Sequence, residues 1–153
     1  MRVRFELNGE PVEVEARADE VLTETLGRLG FAGVRETCGI GVCGACTVLV
    51  DGETASGCLF LAPLAAGRAV TTVEGLGGDD PVQRAFVETH AFQCGYCTPG
   101  MVLAARRLLE ENLRPSEEEV RLGLAGNLCR CGCYVKIVEA VLLAAGREEQ
   151  WTS

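Results

Sequence analysis

The stretch that decides the fold of this chain is a loop of glycines, cysteines and small apolar residues. It runs Cys38-Gly39-Ile40-Gly41-Val42-Cys43-Gly44-Ala45-Cys46. Cysteines bind metal as thiolates, so several of them in one loop concentrate negative charge that needs nearby hydrogen-bond donors. Glycine lets the backbone turn tightly and bring its N–H groups close to sulfur. The loop therefore predicts a metal centre held by cysteines.

A fourth cysteine completes this first set. Cys58 follows Cys46 after eleven residues, which gives the spacing C-x4-C-x2-C and then a distant C. This spacing matches the plant-type ferredoxin pattern for a 2Fe–2S cluster. Zinc is the alternative, but structural zinc sites usually take C-x2–4-C pairs set apart by a longer gap. The spacing favours a 2Fe–2S cluster bound by Cys38, Cys43, Cys46 and Cys58.

A second set of four cysteines consists of two pairs. Cys94 and Cys97 form a C-x2-C pair, and Cys129 and Cys131 form a C-x-C pair 31 residues later. Each pair is predicted to lie at the N-terminal end of a helix, where unpaired N–H groups favour anionic ligands. Spacing alone leaves three interpretations open: a second Fe–S cluster, a zinc site, or a redox-active C-x-x-C.

Residues 1–75 predict a strand-rich domain. Its predicted elements are a hairpin at residues 3–7 and 12–15, a short helix capped by Asp19 and ended by Gly30, and strands at Thr47–Val50 and residues 69–73. Charged and apolar residues alternate in both arms of the hairpin, and the intervening Asn8-Gly9 is a hairpin turn signal. The first cysteine loop thus lies between the helix and the strand at Thr47–Val50.

The glycine- and aspartate-rich stretch at residues 76–80 is the predicted linker, and residues 81–153 predict a helical domain. Four helices are expected: one at residues 81–90, one opened by Thr98 and Pro99, one opened by Ser116 and Glu119, and one from Tyr134 to Gly146. Proline suits the first turn of a helix, and Ser followed three residues later by Glu forms a capping box. Apolar residues repeat at helical spacing, so a small bundle is expected. The predicted fold class is α+β.

Composition and charge argue against several classes of protein. The chain has 153 residues, a net charge of −8 and no basic stretch, which disfavours binding to nucleic acid or to a membrane. Its N-terminus lacks the apolar region of a signal peptide, and no run approaches the roughly 20 apolar residues of a membrane span. We therefore expect a cytoplasmic chain, although export with a partner stays open. Nine cysteines in a chain able to build a core favour metal over disulfides.

Three motifs together resemble one protein family. They are the loop 38–46, then Gln93-Cys94-Gly95-Tyr96-Cys97-Thr98-Pro99-Gly100-Met101, then Asn127-Leu128-Cys129-Arg130-Cys131 followed by Tyr134. This combination resembles the small iron–sulfur subunit of the molybdenum hydroxylases, the family of xanthine dehydrogenase, aldehyde oxidoreductase and carbon monoxide dehydrogenase. The resemblance covers nearly the whole chain, with the motifs in the family's order.

The resemblance implies a fold, cofactors and partners. The fold is a ferredoxin-like β-grasp domain at residues 1–75 and a four-helix bundle domain at residues 81–153, each with one 2Fe–2S cluster. The implied partners are a medium FAD-binding subunit plus a large molybdopterin-binding subunit, which are compatible with a dimer of heterotrimers. Electrons would pass from molybdenum to the helical-domain cluster, then to the β-grasp cluster, then to flavin or another acceptor. Gln93 matches the family's pterin-contacting glutamine, and Cys131 matches the ligand near the pterin's amino group.

One position departs from the family pattern. The family commonly continues Cys-Arg-Cys with Thr-Gly-Tyr, whereas this chain has Gly132, Cys133 and Tyr134. Cys133 is predicted to be a free thiol, because Cys129 and Cys131 already complete the second set. The alternative is that Cys133 competes with Cys131 as a ligand. A cysteine in place of glycine also casts doubt on the backbone geometry there, if a positive φ is needed.

No bond chemistry on a substrate is expected from this chain. It has a single histidine, His90, and no nucleophile–base pair. Two rival functions stay open: a free-standing 2Fe–2S ferredoxin and a zinc-bound structural module. The helical domain argues against the ferredoxin, because a 2Fe–2S domain alone would be enough to shuttle electrons by diffusion.

Overall fold

The structure, a computed structural model, describes residues 1–146. These residues form a mixed five-stranded sheet and five α-helices. The strands are β1 (Arg2–Leu7), β2 (Glu10–Glu15), β3 (Thr47–Val50), β4 (Glu53–Ser56) and β5 (Ala69–Thr71). The helices are α1 (Leu22–Arg28), α2 (Pro81–Glu88), α3 (Thr98–Glu111), α4 (Glu117–Gly123) and α5 (Tyr134–Ala145). The chain is therefore α+β, as predicted. The predicted helical domain extends to residue 153, and its last residues, 147–153, lie outside the described part.

The sheet has the order β2-β1-β5-β3-β4. The predicted hairpin is confirmed: β1 and β2 pair antiparallel, with Phe5 opposite Val12. Asn8 and Gly9 both have positive φ, as the tight turn between right-twisted strands requires. β1 also pairs in parallel with β5, so it has a hydrogen-bonded strand on each side.

Two boundaries and one strand in the strand-rich half differ from the prediction. Asp19 does not cap α1, because the chain stays extended through Val21, which pairs with Leu61 in an isolated β-bridge and is itself the N-cap residue. Strand β5 ends at Thr71, since the N–H of Thr72 turns to the side chain of Asn8 at 2.8 Å. Strand β4 was not predicted, because it lacks an apolar alternation and is defined by its pairing with β3.

All four helices predicted for the second half are present. Pro81 occupies the first turn of α2, and the Asp80 carboxylate accepts a hydrogen bond from the Val82 N–H at 2.9 Å. The capping box of Ser116 and Glu119 opens α4. Helix α2 ends two residues earlier than predicted, because His90 has a φ of +53° and cannot continue it. Among residues 1–146, no helix is long and apolar enough to cross a membrane.

Two hydrophobic cores hold the elements, and both contain cysteines. The first lies between the sheet and α1, and it includes Phe5, Leu22, Leu26, Val48, Cys46 and Cys58. The second lies among the helices, and it includes Phe86, Met101, Leu109, Ile137, Cys129 and Cys133. Each cysteine set is thus anchored in one core at one end and reaches the surface at the other.

The two halves meet where α3 packs against β3 and the first cysteine loop. The Asn127 amide donates to the carbonyl oxygen of Gly44 at 3.0 Å. Gly100, in the first turn of α3, lies so close to the same carbonyl that a Cβ there would collide with it. At the rim, Arg107 of α3 and Glu53 of β4 form an ion pair at 2.6 Å. The close packing of α3 against the first cysteine loop therefore depends on the absence of a side chain at Gly100.

Replacing Gly100 by Ala is expected to lower the free energy of unfolding by about 1–3 kcal/mol, because the new methyl group has no room beside Gly44. Gly27→Ala is the matched control, since Gly27 also lies in a helix but has nothing within 4 Å of an added Cβ. That change should be stabilising by about 0.5–1 kcal/mol. Urea titrations at equal metal content measure both. Unchanged stability of Gly100→Ala would contradict the tight contact described.

Candidate metal centres

The first cysteine loop is shaped by glycines in the left-handed region. Gly39, Gly41 and Gly44 have φ values of +65°, +74° and +70°. These turns bring backbone N–H groups towards one sulfur: the N–H of Cys43 lies 3.5 Å from Sγ of Cys38. The N–H groups of Ile40, Cys43 and Val42 together lower the pKa of Cys38 to about 6. The loop is thus built to stabilise a thiolate before any metal binds.

Strands β3 and β4 bring the fourth cysteine of this set back to the loop. The chain leaves at Cys46, pairs with itself through the two strands and returns at Gly57, whose N–H donates to the Cys46 carbonyl at 3.1 Å. The side chains of Cys46 and Cys58 lie near each other. Burial raises the pKa of Cys46 to about 11, and the backbone N–H of Cys58 opposes this rise while its thiol adds to it. A metal must therefore replace protons at this buried end of the set.

The second set is assembled from two helix ends, as predicted. Cys97 is the N-cap residue of α3, while Cys129 and Cys131 precede α5. The thiols pair across the two segments, with Cys94 against Cys131 and Cys97 against Cys129. Four side chains far apart in the sequence thus come together at one place.

The two ends of this set differ electrostatically. Burial and the contact with Cys129 raise the pKa of Cys97 to about 12. At the exposed end, the N–H of Tyr96 and the thiol of Cys131 lower the pKa of Cys94. Burial alone would raise the pKa of Cys129, but nearby N–H groups and thiols, led by the N–H of Cys133, outweigh it and lower that pKa. Both sets therefore combine a buried end with an end rich in donors.

The ninth cysteine lies beside the second set. Cys133 is 8% exposed, and its N–H donates to Sγ of Cys129 at 3.4 Å. Its φ of −73° is ordinary, whereas the positive φ belongs to Gly132, at +76°. A cysteine at position 133 therefore costs no backbone strain. The hydroxyl of Tyr134 accepts a hydrogen bond from the N–H of Cys129 at 2.8 Å and fixes the segment further.

The two sets are neighbours. The N–H of Leu128 donates to the carbonyl oxygen of Cys43 at 2.9 Å, so a backbone hydrogen bond joins a residue of the first set to the residue preceding Cys129. A cavity of about 370 Å³ lies between the segments, lined by cysteines of both sets, Cys43, Cys94, Cys97 and Cys129. The neighbouring thiols, the N–H donors aimed at sulfur and this shared cavity fit clusters held by the two sets.

Within residues 1–146, no group of three or more His, Cys, Asp or Glu side chains is placed so that it could hold a metal ion. A 2Fe–2S cluster differs from a single ion, because its four sulfur ligands are divided between two irons. The neighbouring thiols of the second set, Cys94 with Cys131 and Cys97 with Cys129, agree with such a division.

The sequence identified Gln93 as a candidate residue near the second set, but it did not identify Arg35. Gln93, predicted to contact a pterin, is exposed in the loop before Cys94. Arg35, which the sequence did not single out, donates to the carbonyl oxygens of Gly95 and Tyr96, both at 2.8 Å. No local signal could reveal this contact, because Arg35 and Gly95 are 60 residues apart in the sequence.

Two domain families match adjacent parts of the chain. Residues 5–69 match a 2Fe-2S iron-sulfur cluster binding domain, and residues 72–142 match a [2Fe-2S] binding domain. The first match contains Cys38, Cys43, Cys46 and Cys58, and the second contains the other five cysteines. The chain therefore carries two 2Fe–2S-binding domains, and both cofactors predicted for it are confirmed.

Relatives of known function and structure agree with these domains. The nicotine 6-hydroxylase small subunit of Paenarthrobacter nicotinovorans is 45% identical over 96% of this chain and 91% of its own length. The structure of quinoline 2-oxidoreductase from Pseudomonas putida 86 matches with a TM-score of 0.93 and 40% identity over 98% of this chain and 96% of that one. Aldehyde oxidoreductase from Desulfovibrio gigas matches with a TM-score of 0.92 and 34% identity over 99% of this chain but only 18% of its own.

The chain belongs to the small iron–sulfur subunits of the molybdenum hydroxylases. Its relatives are parts of oxidoreductases, and in the aldehyde oxidoreductase the matching region is a small part of a much longer chain. The resemblance seen in the sequence motifs is thus confirmed.

Replacing Cys131 by Ser is expected to remove the second cluster, because a hard oxygen replaces a soft thiolate that iron prefers. Cys133→Ala is the matched control and should retain both clusters. Cys133 has an ordinary φ and is buried, so this substitution should remove only packing contacts. Iron analysis and low-temperature EPR of both variants measure the outcome. Iron lost from Cys133→Ala but kept in Cys131→Ser would show that Cys133 is the ligand.

Proposed function

We propose that this chain relays electrons between other subunits of a molybdopterin-dependent hydroxylase complex. The domains are a ferredoxin-like β-grasp domain at residues 1–75 and a four-helix domain at residues 81–153, joined by residues 76–80. The observation that carries the proposal is the adjacency of two four-cysteine sets, linked by the 2.9 Å hydrogen bond from Leu128 to Cys43. Each bound 2Fe–2S cluster would accept and release one electron.

The proposed ligands are four cysteines for each cluster. They are Cys38, Cys43, Cys46 and Cys58 for the first, and Cys94, Cys97, Cys129 and Cys131 for the second. Thiol contacts between Cys46 and Cys58, and between Cys97 and Cys129, support the grouping. N–H groups aimed at the sulfurs would offset the negative charge that a reduced cluster adds.

The direction of the relay is taken from the family resemblance, and each cysteine set offers one exposed end for it. The second set reaches the surface at Cys94, beside the exposed Gln93, and we assign this end to the molybdopterin of a large subunit. The first loop exposes Ile40 and Val42, which are 68% and 56% accessible. We assign this end to an FAD-binding subunit or another acceptor. Substrate oxidation would then take place outside this chain.

Two alternatives predict different behaviour. A free-standing ferredoxin would expose a single cluster to diffusing partners, whereas here a second domain carries another cysteine set against the first. Exposed apolar side chains such as Ile40 and Val135, the latter 71% accessible, suit contact with fixed partner subunits. A zinc-bound structural module would be colourless and would contain no acid-labile sulfide.

The purified complex should contain about four irons and about four acid-labile sulfides per copy of this chain, as two 2Fe–2S clusters. Because the two sets differ in spacing and donors, the reduced protein should give two distinguishable EPR signals. Metal analysis and EPR during dithionite reduction provide the test. Stoichiometric zinc, or about two irons per chain, would reject the two-cluster relay.

Gln93→Ala is expected to slow cluster reduction by substrate while leaving both clusters in place. The amide both donates and accepts, which suits a pterin edge, and leaving a buried pterin group unpaired costs about 1–3 kcal/mol. The measurement combines iron content with stopped-flow reduction of the clusters by substrate. Glu118→Ala, at an exposed position of α4, is the control for a general surface effect. If Gln93→Ala retains the wild-type rate and binds the large subunit with wild-type affinity, the pterin contact is withdrawn.

A further inference from the structure

One residue of the first domain contacts both cysteine sets. The backbone N–H of Arg35 donates to the carbonyl oxygen of Ala45, which lies between Cys43 and Cys46 in the first loop. Its side chain extends in the other direction, and Nη1 donates to the carbonyl oxygens of Gly95 and Tyr96 at 2.8 Å. Gly95 and Tyr96 are the two residues between the cysteines of the C-x2-C pair. Arg35 therefore ties the ligand turn of the second set to the loop of the first.

The contact is reinforced by the ring of Tyr96. The guanidinium carbon of Arg35 lies 5.0 Å from the centre of this ring, within the range of a cation–π interaction. The Tyr96 hydroxyl accepts a hydrogen bond from Thr37 at 3.1 Å and lies 3.4 Å from the carbonyl oxygen of Glu36. Residues 35–37 thus hold the side chain of Tyr96 through three contacts, in addition to the two hydrogen bonds from Arg35 to the carbonyl oxygens of the turn.

Holding this turn also holds a donor to sulfur. Gly95 has a φ of +75°, and the N–H of Tyr96 lies 3.5 Å from Sγ of Cys94. The turn conformation that Arg35 fixes is therefore the one that aims this N–H at a proposed cluster ligand. Hydrogen bonds to ligand sulfur stabilise the reduced, more negative state of a cluster and raise its reduction potential.

The charge of Arg35 acts in the same direction. Its guanidinium is positively charged, and the side chain is half-buried, where charges are screened less than at the surface. Glu74, which accepts a hydrogen bond from the Gly33 N–H at 2.7 Å, is stabilised by Arg35 and offsets part of its charge. Arg130, between Cys129 and Cys131, is exposed, so solvent screens it more strongly.

We propose that Arg35 is a positioning residue for the second cluster: it fixes the turn between Cys94 and Cys97, places a positive charge beside it, and so raises the reduction potential of that cluster relative to the first. This proposal rests on the cluster assignment made above. Electron flow between the two clusters would then depend on a residue that ligates neither.

The test is an EPR-monitored redox titration of the purified complex carrying Arg35→Gln, Arg35→Lys or Arg68→Gln. In Arg35→Gln, the ratio of reduced to oxidised second cluster at a fixed potential should fall at least about threefold, or about 28 mV at 59 mV per tenfold change. The first cluster should shift by less than half as much. Arg35→Lys keeps the charge and should recover part of the change. Arg68, paired with Asp51 in the strand-rich half, is the matched control and should leave both potentials unchanged.

Five outcomes decide the proposal. Wild-type potentials in an iron-replete Arg35→Gln complex, or equal shifts of both clusters, would overturn it. A potential in Arg35→Lys as low as that in Arg35→Gln would overturn the role of the charge. If Arg35→Gln assembles without the second cluster alone, the positioning role is supported, whereas loss of both clusters would make Arg35 a general structural residue. Failure of the cluster assignment itself is distinguishable, because the wild-type complex would then lack a second EPR signal.

Discussion

The negative charge of clustered cysteine sulfurs is the constraint on which this structure depends. A thiolate removed from water must receive hydrogen bonds or positive charge, and the chain supplies mostly backbone N–H groups. Around Cys38 these come from a loop that three glycines turn into the left-handed region. Around the second set they come from the N–H of Cys133 at the start of α5 and from the N–H of Tyr96 in the turn between Cys94 and Cys97. The fold is arranged so that irregular backbone surrounds sulfur.

That arrangement also explains how the two halves are joined. Loops rich in glycine present bare carbonyl groups as well as N–H groups, and the carbonyls of Cys43 and Gly44 are satisfied by Leu128 and Asn127 of the helical half. The same backbone that binds the first set therefore forms the contact with the second. The proximity of the two centres is a direct result of satisfying these polar groups.

Much of this could be predicted from the sequence, because it is local. The hairpin around Asn8 and Gly9, the capping box at Ser116 and the cysteine spacings are each contained in a few neighbouring residues. What failed was set by strand pairing and not by residue pattern: Val21 stays extended because it pairs with the distant Leu61, and β4, which lacks apolar alternation, is defined by its pairing with β3. The same reason hid Arg35, whose contact with the second set joins residues 60 positions apart. Residue types at the site were therefore predictable, but the contacts between them were not.

The contact between Asn127 and Gly44 closes a loop of 83 residues, so it has a consequence for how the protein folds. Closing such a long loop costs chain entropy that contacts formed at the same time must offset. The cavity between the halves is lined by Cys43 of the first set and by Cys94, Cys97 and Cys129 of the second. Because these cysteines belong to different halves of the chain, the cavity is complete only once the two halves have docked.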